Sequence, residues 1–176
     1  MRSHAAGTGP EVEEEVIRAL MLLRLSTLCT GRTGVRPVVV ETYAKALNAG
    51  IVPVVREYGS LGCSGDLAPL AHCALALLGE GEVRVNGELK DAGDALAAAG
   101  IEPLQLREKE GLALINGTDG MLGQLCLAIT DLRAAAKTAD IATAMTVEGL
   151  LGTLVVFADD LQQLRPHPGQ ADAAAN

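Results

Sequence analysis

Apolar residues recur at intervals of three and four along most of the chain, which is the spacing of a helix with one apolar face. The first such stretch follows the acid-rich segment Glu11–Glu15, and acidic residues there favour the positive end of a helix dipole. Its apolar positions are Val16, Ile17, Leu20, Leu23 and Leu28. The pattern predicts a helix that Gly31 and Gly34 end.

The same periodicity predicts five more helices further along the chain. They span Val38–Ala49, Leu67–Leu78, Asp91–Ala99, Glu108–Ile115 and a long stretch from Thr118 to about Phe157. Gly149 and Gly152 predict a break inside the last of these, because glycine is a weak helix former.

The remaining segments carry turn and strand signals. Ile51–Tyr58 is expected to be extended, because Pro53 and the β-branched residues around it oppose a helix. Glu82–Lys90 predicts a small hairpin around Asn86-Gly87, a dipeptide typical of a type I′ turn. Two further segments are predicted as a turn and a loop, Gly7–Pro10 and Arg165–Gly169. The fold class expected from these elements is mainly α with one small β-hairpin, without internal repeats or linkers.

Composition narrows the class of protein. The chain has 176 residues, of which 49% are hydrophobic and only 2% aromatic, so its core must be built from aliphatic side chains. The formal charge of −8 argues against a nucleic-acid partner, because phosphate binding needs a basic face. We find no signal-peptide pattern and no uncharged apolar run of membrane-spanning length. The sequence therefore predicts a soluble, cytoplasmic protein with no membrane partner.

The four cysteines do not form a pattern typical of a metal cluster or a disulfide framework. None belongs to a C-x-x-C pair, and three lie in apolar, helix-like runs. They are Cys29, Cys63, Cys73 and Cys126. Reduced thiols and no metal site are expected.

The glycine-rich segment Gly59–Gly65 allows several interpretations from its residues alone. It can be a tight turn in which Asp66 caps the following helix, acting as a cap and not as a base. A nucleophilic Ser64 lacks the G-x-S-x-G spacing of a hydrolase elbow. A nucleophilic Cys63 would need a histidine base, and nothing local pairs one with it. A phosphate loop would need a Gly-Lys-Ser/Thr ending, which is absent.

Two other short segments carry candidate polar residues. Ser3 and His4 stand near the start of the chain, where a histidine is commonly solvated. Asn116 follows a predicted helix, where an Asn-Gly pair commonly forms a helix-ending turn. The remaining histidines, His72 and His167, are expected to be structural.

Together these segments resemble the aromatic amino-acid ammonia-lyases. That family has Ala-Ser-Gly followed by Asp-Leu-Ala-Pro-Leu-Ala-His, and this chain has Cys63–Gly65 followed by the same seven residues, Asp66–His72. Ser3 with His4 resembles the histidine-specific members, whereas His-Leu or Phe-Leu at this place resembles members that act on tyrosine or phenylalanine. Asn116 matches a family asparagine that contacts the amino acid and the cofactor. The resemblance covers essentially the whole chain.

The resemblance implies a self-made cofactor, 4-methylideneimidazole-5-one (MIO). In the family, the amide nitrogen of the glycine attacks the carbonyl carbon two residues earlier, which here are Gly65 and Cys63. The carbonyl oxygen leaves as one water, and Ser64 loses its hydroxyl as a second. Glycine permits the strained backbone approach. Since only the backbone of Cys63 would enter the ring, its thiol is expected to be buried and inert.

The activity that the resemblance implies is that of a histidine ammonia-lyase, a carbon–nitrogen lyase of histidine degradation. It would remove ammonia from L-histidine without oxidation and give trans-urocanate. Ser3, His4 and Asn116 would bind and orient the substrate, with Asn116 and His4 counted as catalytic beside Cys63–Gly65. The alternatives are another lyase or aminomutase with the same cofactor, acting on tyrosine or phenylalanine, and a catalytically inactive helical fragment.

The resemblance also implies how the chain relates to its family. Residues 1–176 are expected to be a single fragment of the catalytic region, lacking N-terminal and C-terminal parts that include the catalytic base. The fragment would form part of an elongated helical bundle, and its partners would be copies of itself in a homotetramer. By itself it is expected to be inactive and to expose apolar surface.

Overall fold

The computed structural model describes residues 1–176, and the chain divides into two compact units, Met1–Leu127 and Ala128–Asn176. The helices that begin in the first unit are α1 Glu14–Cys29, α2 Pro37–Asn48, α3 Leu67–Leu77, α4 Ala92–Ala98, α5 Glu110–Ile115 and α6 Asp119–Gly149. A short 3₁₀ helix, Arg2–His4, precedes them. The strands are β1 Thr8–Glu11, β2 Ile51–Pro53, β3 Arg56–Tyr58, β4 Glu82–Val85 and β5 Glu88–Asp91.

The predicted helices of this unit are confirmed, with ends that differ by only a few residues. The hairpin is confirmed too: β4 pairs with β5, and Asn86 and Gly87 both have positive φ, as a type I′ turn requires. The hairpin carries a third strand, because β2 pairs antiparallel with β4. The predicted extended segment Ile51–Tyr58 therefore divides into two strands that belong to different sheets.

The turn predicted at Gly7–Pro10 is wrong, because Thr8–Glu11 is strand β1. It pairs antiparallel with β3, and the pairing shifts register between Thr8 and Glu11. Gly9 and Pro10 interrupt regular pairing but do not prevent it, since proline is tolerated in edge strands and at bulges. This two-stranded pair leads directly into the glycine-rich loop at Gly59.

The core of the first unit is aliphatic, as the composition required. Most of its fully buried side chains belong to helices α1 to α5, among them Leu20, Val39, Leu70 and Leu96, and Tyr43 of α2 is the one aromatic residue among them. Cys73 is buried among them, and burial raises the pKa of its thiol to about 12, with the nearby Asp119 carboxylate adding to the effect. This thiol is therefore protonated and inert.

The second unit contains the rest of α6, a 3₁₀ helix Leu154–Phe157, and helices α7 Asp159–Gln162 and α8 Pro168–Ala175. The predicted break at Gly149 is confirmed: α6 ends there and Leu151 follows with a positive φ of 54°. The predicted loop Arg165–Gly169 is only partly right, because Pro168 begins α8. Proline is well suited to the first position of a helix.

Apolar side chains of the second unit are largely exposed, and Gln162 is its only buried residue. Leu151, for example, is 94% exposed. The segment Glu110–Gly149, counted across the interruption between α5 and α6, is long and apolar enough to cross a membrane by length and composition. Helices in the cores of soluble proteins pass the same test, so this finding is weak support for a membrane, and the absence of a membrane partner stays a prediction.

Candidate functional site

The glycine-rich loop begins where β3 ends, and close packing fixes its first residue. A Cβ atom at Gly59 would lie 3.1 Å from the Cβ of Ala68 and 3.2 Å from the Cα of Gly7. Gly7 directly precedes β1, so the β1–β3 pair holds the segment after Ser3 and His4 against the start of the loop. A side chain at Gly59 would separate these elements.

Within the loop the chain doubles back on itself over four residues. Gly62 and Gly65 have φ values of +70° and +99°, in the region that favours glycine. Isolated β-bridges pair Gly62 with Gly65 and Cys63 with Gly65. The backbone of Gly65 is therefore folded back towards that of Cys63, the two residues that the resemblance joins in a ring.

Gly65 also contacts the Asn116-Gly117 turn, which is far away in sequence. A Cβ atom at Gly65 would lie 2.5 Å from the carbonyl oxygen of Gly117, closer than any real Cβ contact. The next amide, that of Asp66, donates a 2.7 Å hydrogen bond to the same oxygen. The structure thus brings together two of the three predicted segments, the loop and the turn that carries Asn116.

Asp66 occupies the N-cap position of α3, as predicted, but its side chain does not cap that helix. Its carboxylate is buried, with Oδ1 accepting a 2.6 Å hydrogen bond from Ser60 Oγ and Oδ2 a 2.9 Å bond from the amide of Met121. Met121 lies in the first turn of α6, where amides lack partners within the helix. Asp66 therefore caps α6 and ties it to the loop.

Sequence reasoning missed Arg24, which is buried at 3% exposure in α1. It forms an ion pair with Asp119, the first residue of α6, and donates from Nη1 to the carbonyl oxygens of Ala113 and Asn116 at 3.1 and 3.3 Å. The sequence did contain an indication that Arg24 is buried. It lies four residues after Leu20 and four before Leu28, on the buried face of its helix. A charge in an apolar stripe needs buried partners.

Ser3 and His4 lie in the 3₁₀ helix Arg2–His4 and are exposed. Ser3 Oγ is 3.2 Å from His4 Nδ1, while no hydrogen bond joins His4 to the loop or to Asn116. The structure therefore does not bring the third predicted segment into polar contact with the other two.

His72 holds the chain that follows His4. Its Nε2 accepts a hydrogen bond from the amide of Gly7 at 3.3 Å, which requires that nitrogen to be unprotonated. Partial burial, and secondly the charge of Arg56, lowers the pKa of His72 and favours this neutral form. The contact agrees with the structural role expected for this histidine.

The expectation that Cys63 is buried is wrong, because the residue is exposed. The loop meets the rest of the unit mainly through Ser60, Gly65 and Asp66, so the side chains between them stand at the surface. Ser64 is exposed as well. An exposed thiol is accessible to reagents, and its inertness no longer follows from burial.

The fold and this site define a class of helical enzymes. The crystal structure of histidine ammonia-lyase from Trypanosoma cruzi superposes with a TM-score of 0.92 at 42% sequence identity, covering 98% of this chain and 34% of that chain. The sequence model of a family described as "Aromatic amino acid lyase" matches residues 1–176. The chain belongs to the aromatic amino acid lyase family, as the three segments had indicated.

Curated relatives include proteins with two different named activities. A histidine ammonia-lyase of Streptomyces coelicolor is 65% identical over 177 residues, which cover 100% of this chain and 35% of that protein. An MIO-dependent tyrosine 2,3-aminomutase of Streptomyces globisporus is 49% identical over 177 residues, covering 100% of this chain and 33% of that protein. The chain thus spans about a third of the length of the relatives it matches.

Proposed function

We propose that this chain is part of a histidine ammonia-lyase, which removes ammonia from L-histidine without oxidation and gives trans-urocanate. The observation that carries the proposal is the packing of Gly65 on the Gly117 carbonyl, which places the loop beside the turn that bears Asn116. The 65% identity to the Streptomyces coelicolor enzyme supports histidine as the substrate. A carbon–nitrogen lyase is also what the family match implies.

The proposed precursor of the MIO cofactor is Cys63–Gly65, and the loop geometry fits this role. Gly65 adopts a conformation that favours glycine, and its backbone is folded towards Cys63. The bond from the Asp66 amide to Gly117 fixes the chain immediately after the reacting amide. When formed, the ring would supply an electrophilic carbon that no ordinary side chain offers.

The other residues would bind and orient the substrate. Asn116 follows α5 with an extended backbone and carries an amide that can both donate and accept hydrogen bonds. The imidazole of His4 can also do both, and its Nε2 makes no hydrogen bond in the structure, so it could serve an imidazole substrate. Ser3 would orient that ring through Nδ1. The catalytic base is not assigned to this chain.

Assembly and location belong to the proposal as well. A homotetramer is supported by the exposed apolar side chains of the second unit, which need a covering surface. A cytoplasmic location is supported by the reduced thiols of Cys29, Cys63 and Cys73.

The first test is the intact mass of the purified chain by electrospray ionisation. We expect a deficit of two water molecules that maps to the peptide with Cys63–Gly65, and no two-water deficit in a Ser64→Ala variant, which has no hydroxyl to lose. If the chain alone is unmodified, the measurement moves to a chimera in which this sequence replaces the matching segment of the Streptomyces coelicolor enzyme. A folded chimera that neither loses two waters nor forms urocanate would overturn the proposal.

A second test concerns the substrate, because the tyrosine aminomutase relative makes a tyrosine-specific enzyme the alternative. In the chimera, exchanging Ser3 and His4 for histidine and leucine should lower turnover of histidine relative to tyrosine. The ratio of kcat/KM for the two amino acids measures this. An unchanged ratio would show that Ser3 and His4 do not determine which amino acid is the substrate.

A further inference from the structure

The guanidinium of Arg24 is the most heavily bonded buried group near the loop. Besides its bonds to Ala113 and Asn116, it donates from Nε to Asp119 Oδ2 at 3.0 Å, and Nη2 contacts the same oxygen. Its partners come from the end of α5, the following turn and the start of α6. One side chain of α1 therefore links three consecutive segments.

These bonds satisfy carbonyl groups that the helix cannot satisfy itself. The last carbonyls of a helix have no partner within it, and Ala113 lies in the last turn of α5. Asn116 is already outside the helix, so its carbonyl also needs a donor. Arg24 supplies both donors, which fixes where the backbone of Asn116 lies.

The turn so fixed is in contact with the loop. Gly117 has Arg24 on one side, where the Nη2 atom occupies the space that a Cβ atom would need. Its carbonyl oxygen meets Gly65 and accepts the Asp66 amide on the other side. A displacement of the Arg24 guanidinium would therefore move Gly117, which is in direct contact with Gly65.

We propose that Arg24 is a positioning residue, which sets the place of the Asn116-Gly117 turn against Cys63–Gly65 and so controls both ring formation and substrate binding. This inference rests on the proposed function. Lysine is the informative replacement, because it keeps the charge beside Asp119 but loses the planar arrangement of donors that reaches two carbonyl groups at once.

Arg36 provides a matched control. Its guanidinium also pairs with a buried carboxylate, that of Glu110, and also donates to a backbone carbonyl, that of Gln105 at 2.7 Å. These contacts lie at the opposite end of α5 and involve neither Asn116 nor Gly117. Arg24→Lys and Arg36→Lys thus each remove guanidinium bonds to a carboxylate and to a backbone carbonyl, with Arg36 the more exposed of the two, and only the first is expected to move the turn.

The experiment compares both variants with the unsubstituted chimera, using intact mass, steady-state kinetics and thermal unfolding. We expect folded Arg24→Lys to lose two waters incompletely. Its modified fraction should show a kcat lowered by roughly tenfold to a hundredfold and a raised KM, since small displacements in an active site have effects of this size. Arg36→Lys should unfold at a lower temperature yet keep full modification, kcat and KM.

Gly117→Ala provides a second variant should Arg24→Lys not fold, because the added methyl group would overlap the Arg24 guanidinium and the Asp119 carboxylate and displace this ion pair without removing either charge. It should show the same mass and kinetic defects. Full modification with unchanged kcat and KM in the folded variant would overturn the proposal, and so would equal defects in Arg36→Lys. Absence of the mass deficit in the unsubstituted chimera would instead count against the proposed function itself.

Discussion

Gly65 meets two constraints at once, a φ of +99° and a carbonyl oxygen where a side chain would begin. Either constraint alone disfavours other residues, since the left-handed conformation costs an L-residue about 1–2 kcal/mol and the overlap adds a packing cost. We therefore predict that Gly65→Ala lowers the free energy of unfolding by about 2–5 kcal/mol and abolishes the two-water mass deficit that we propose for the loop. Urea unfolding and intact mass measure the two effects.

Gly81 offers the control for the first constraint, because it has a φ of +86° but nothing within 4 Å of a Cβ atom. Gly81→Ala should cost only about 1 kcal/mol and leave the mass deficit intact. Equal losses of stability in the two variants would contradict the importance that we assign to the Gly65–Gly117 contact.

At the scale of elements, Glu110 joins the beginnings of α5 and α2. Its carboxylate accepts hydrogen bonds from Arg36, both from the side chain at 2.8 Å and from the backbone amide at 3.1 Å, and from the amide of Arg107 at 2.8 Å. The hydrogen bond from the Arg36 side chain, supported by the backbone amides, lowers the pKa of Glu110 to about 2 although burial opposes this. The two helix ends are thus held by an ionised, nearly inaccessible carboxylate.

The pH dependence of stability follows from this pKa. Because the pKa in the folded state lies below the ordinary value of 4.5, the stabilisation is complete above about pH 4.5 and is lost as the pH falls towards 2. The full effect is about 3 kcal/mol, of which about 2 kcal/mol should be lost between pH 6 and pH 3, measured by urea unfolding. Glu110→Gln should flatten this dependence, whereas Glu80→Gln, at a more exposed ion pair, should leave it nearly unchanged. An equally steep curve for Glu110→Gln would show that other carboxylates are responsible.

At the scale of the whole molecule, the two units differ in how much they bury. The first has an aliphatic core, whereas Gln162 is the only buried residue of the second. Segments with few buried apolar contacts open at low cost in free energy. Limited proteolysis followed by mass spectrometry should therefore cleave within Ala128–Asn176 first and leave a fragment near Met1–Leu127. Early cleavage inside Met1–Leu127 would contradict this picture.

Lyase activity also depends on the whole molecule, because residues from distant parts of the sequence contribute to it. The chain spans about a third of its relatives' length. The family resemblance implies that the catalytic base lies outside the segment that matches this chain. We expect no appreciable urocanate from the 176-residue chain, compared with the chimera assayed in parallel, because the proton-transfer part of catalysis would be missing. Formation of urocanate at a comparable rate would place the base within this sequence.

The sequence by itself determined helices α1 to α6, the hairpin and the family. Helical periodicity placed α1 to α6 to within a few residues, because an apolar face is a local property that burial requires wherever the helix packs. Asn86-Gly87 specified its hairpin, since few residues adopt positive φ at two successive positions. The segment Cys63–His72 indicated the family, because it is a run of consecutive residues that can be compared with the family's signature without knowing the fold.

Only the tertiary structure decided which distant residues meet. No local pattern pairs β1 with β3, directs the Asp66 carboxylate to α6 and not to its own helix, or leaves Cys63 at the surface. The contact between Gly65 and Gly117 likewise depends on how α1, α3 and α6 pack. Local periodicity determines whether a segment is a helix or a strand. A contact between residues far apart in sequence depends instead on how all the elements between them pack. The chemistry of the site is set by such distant contacts.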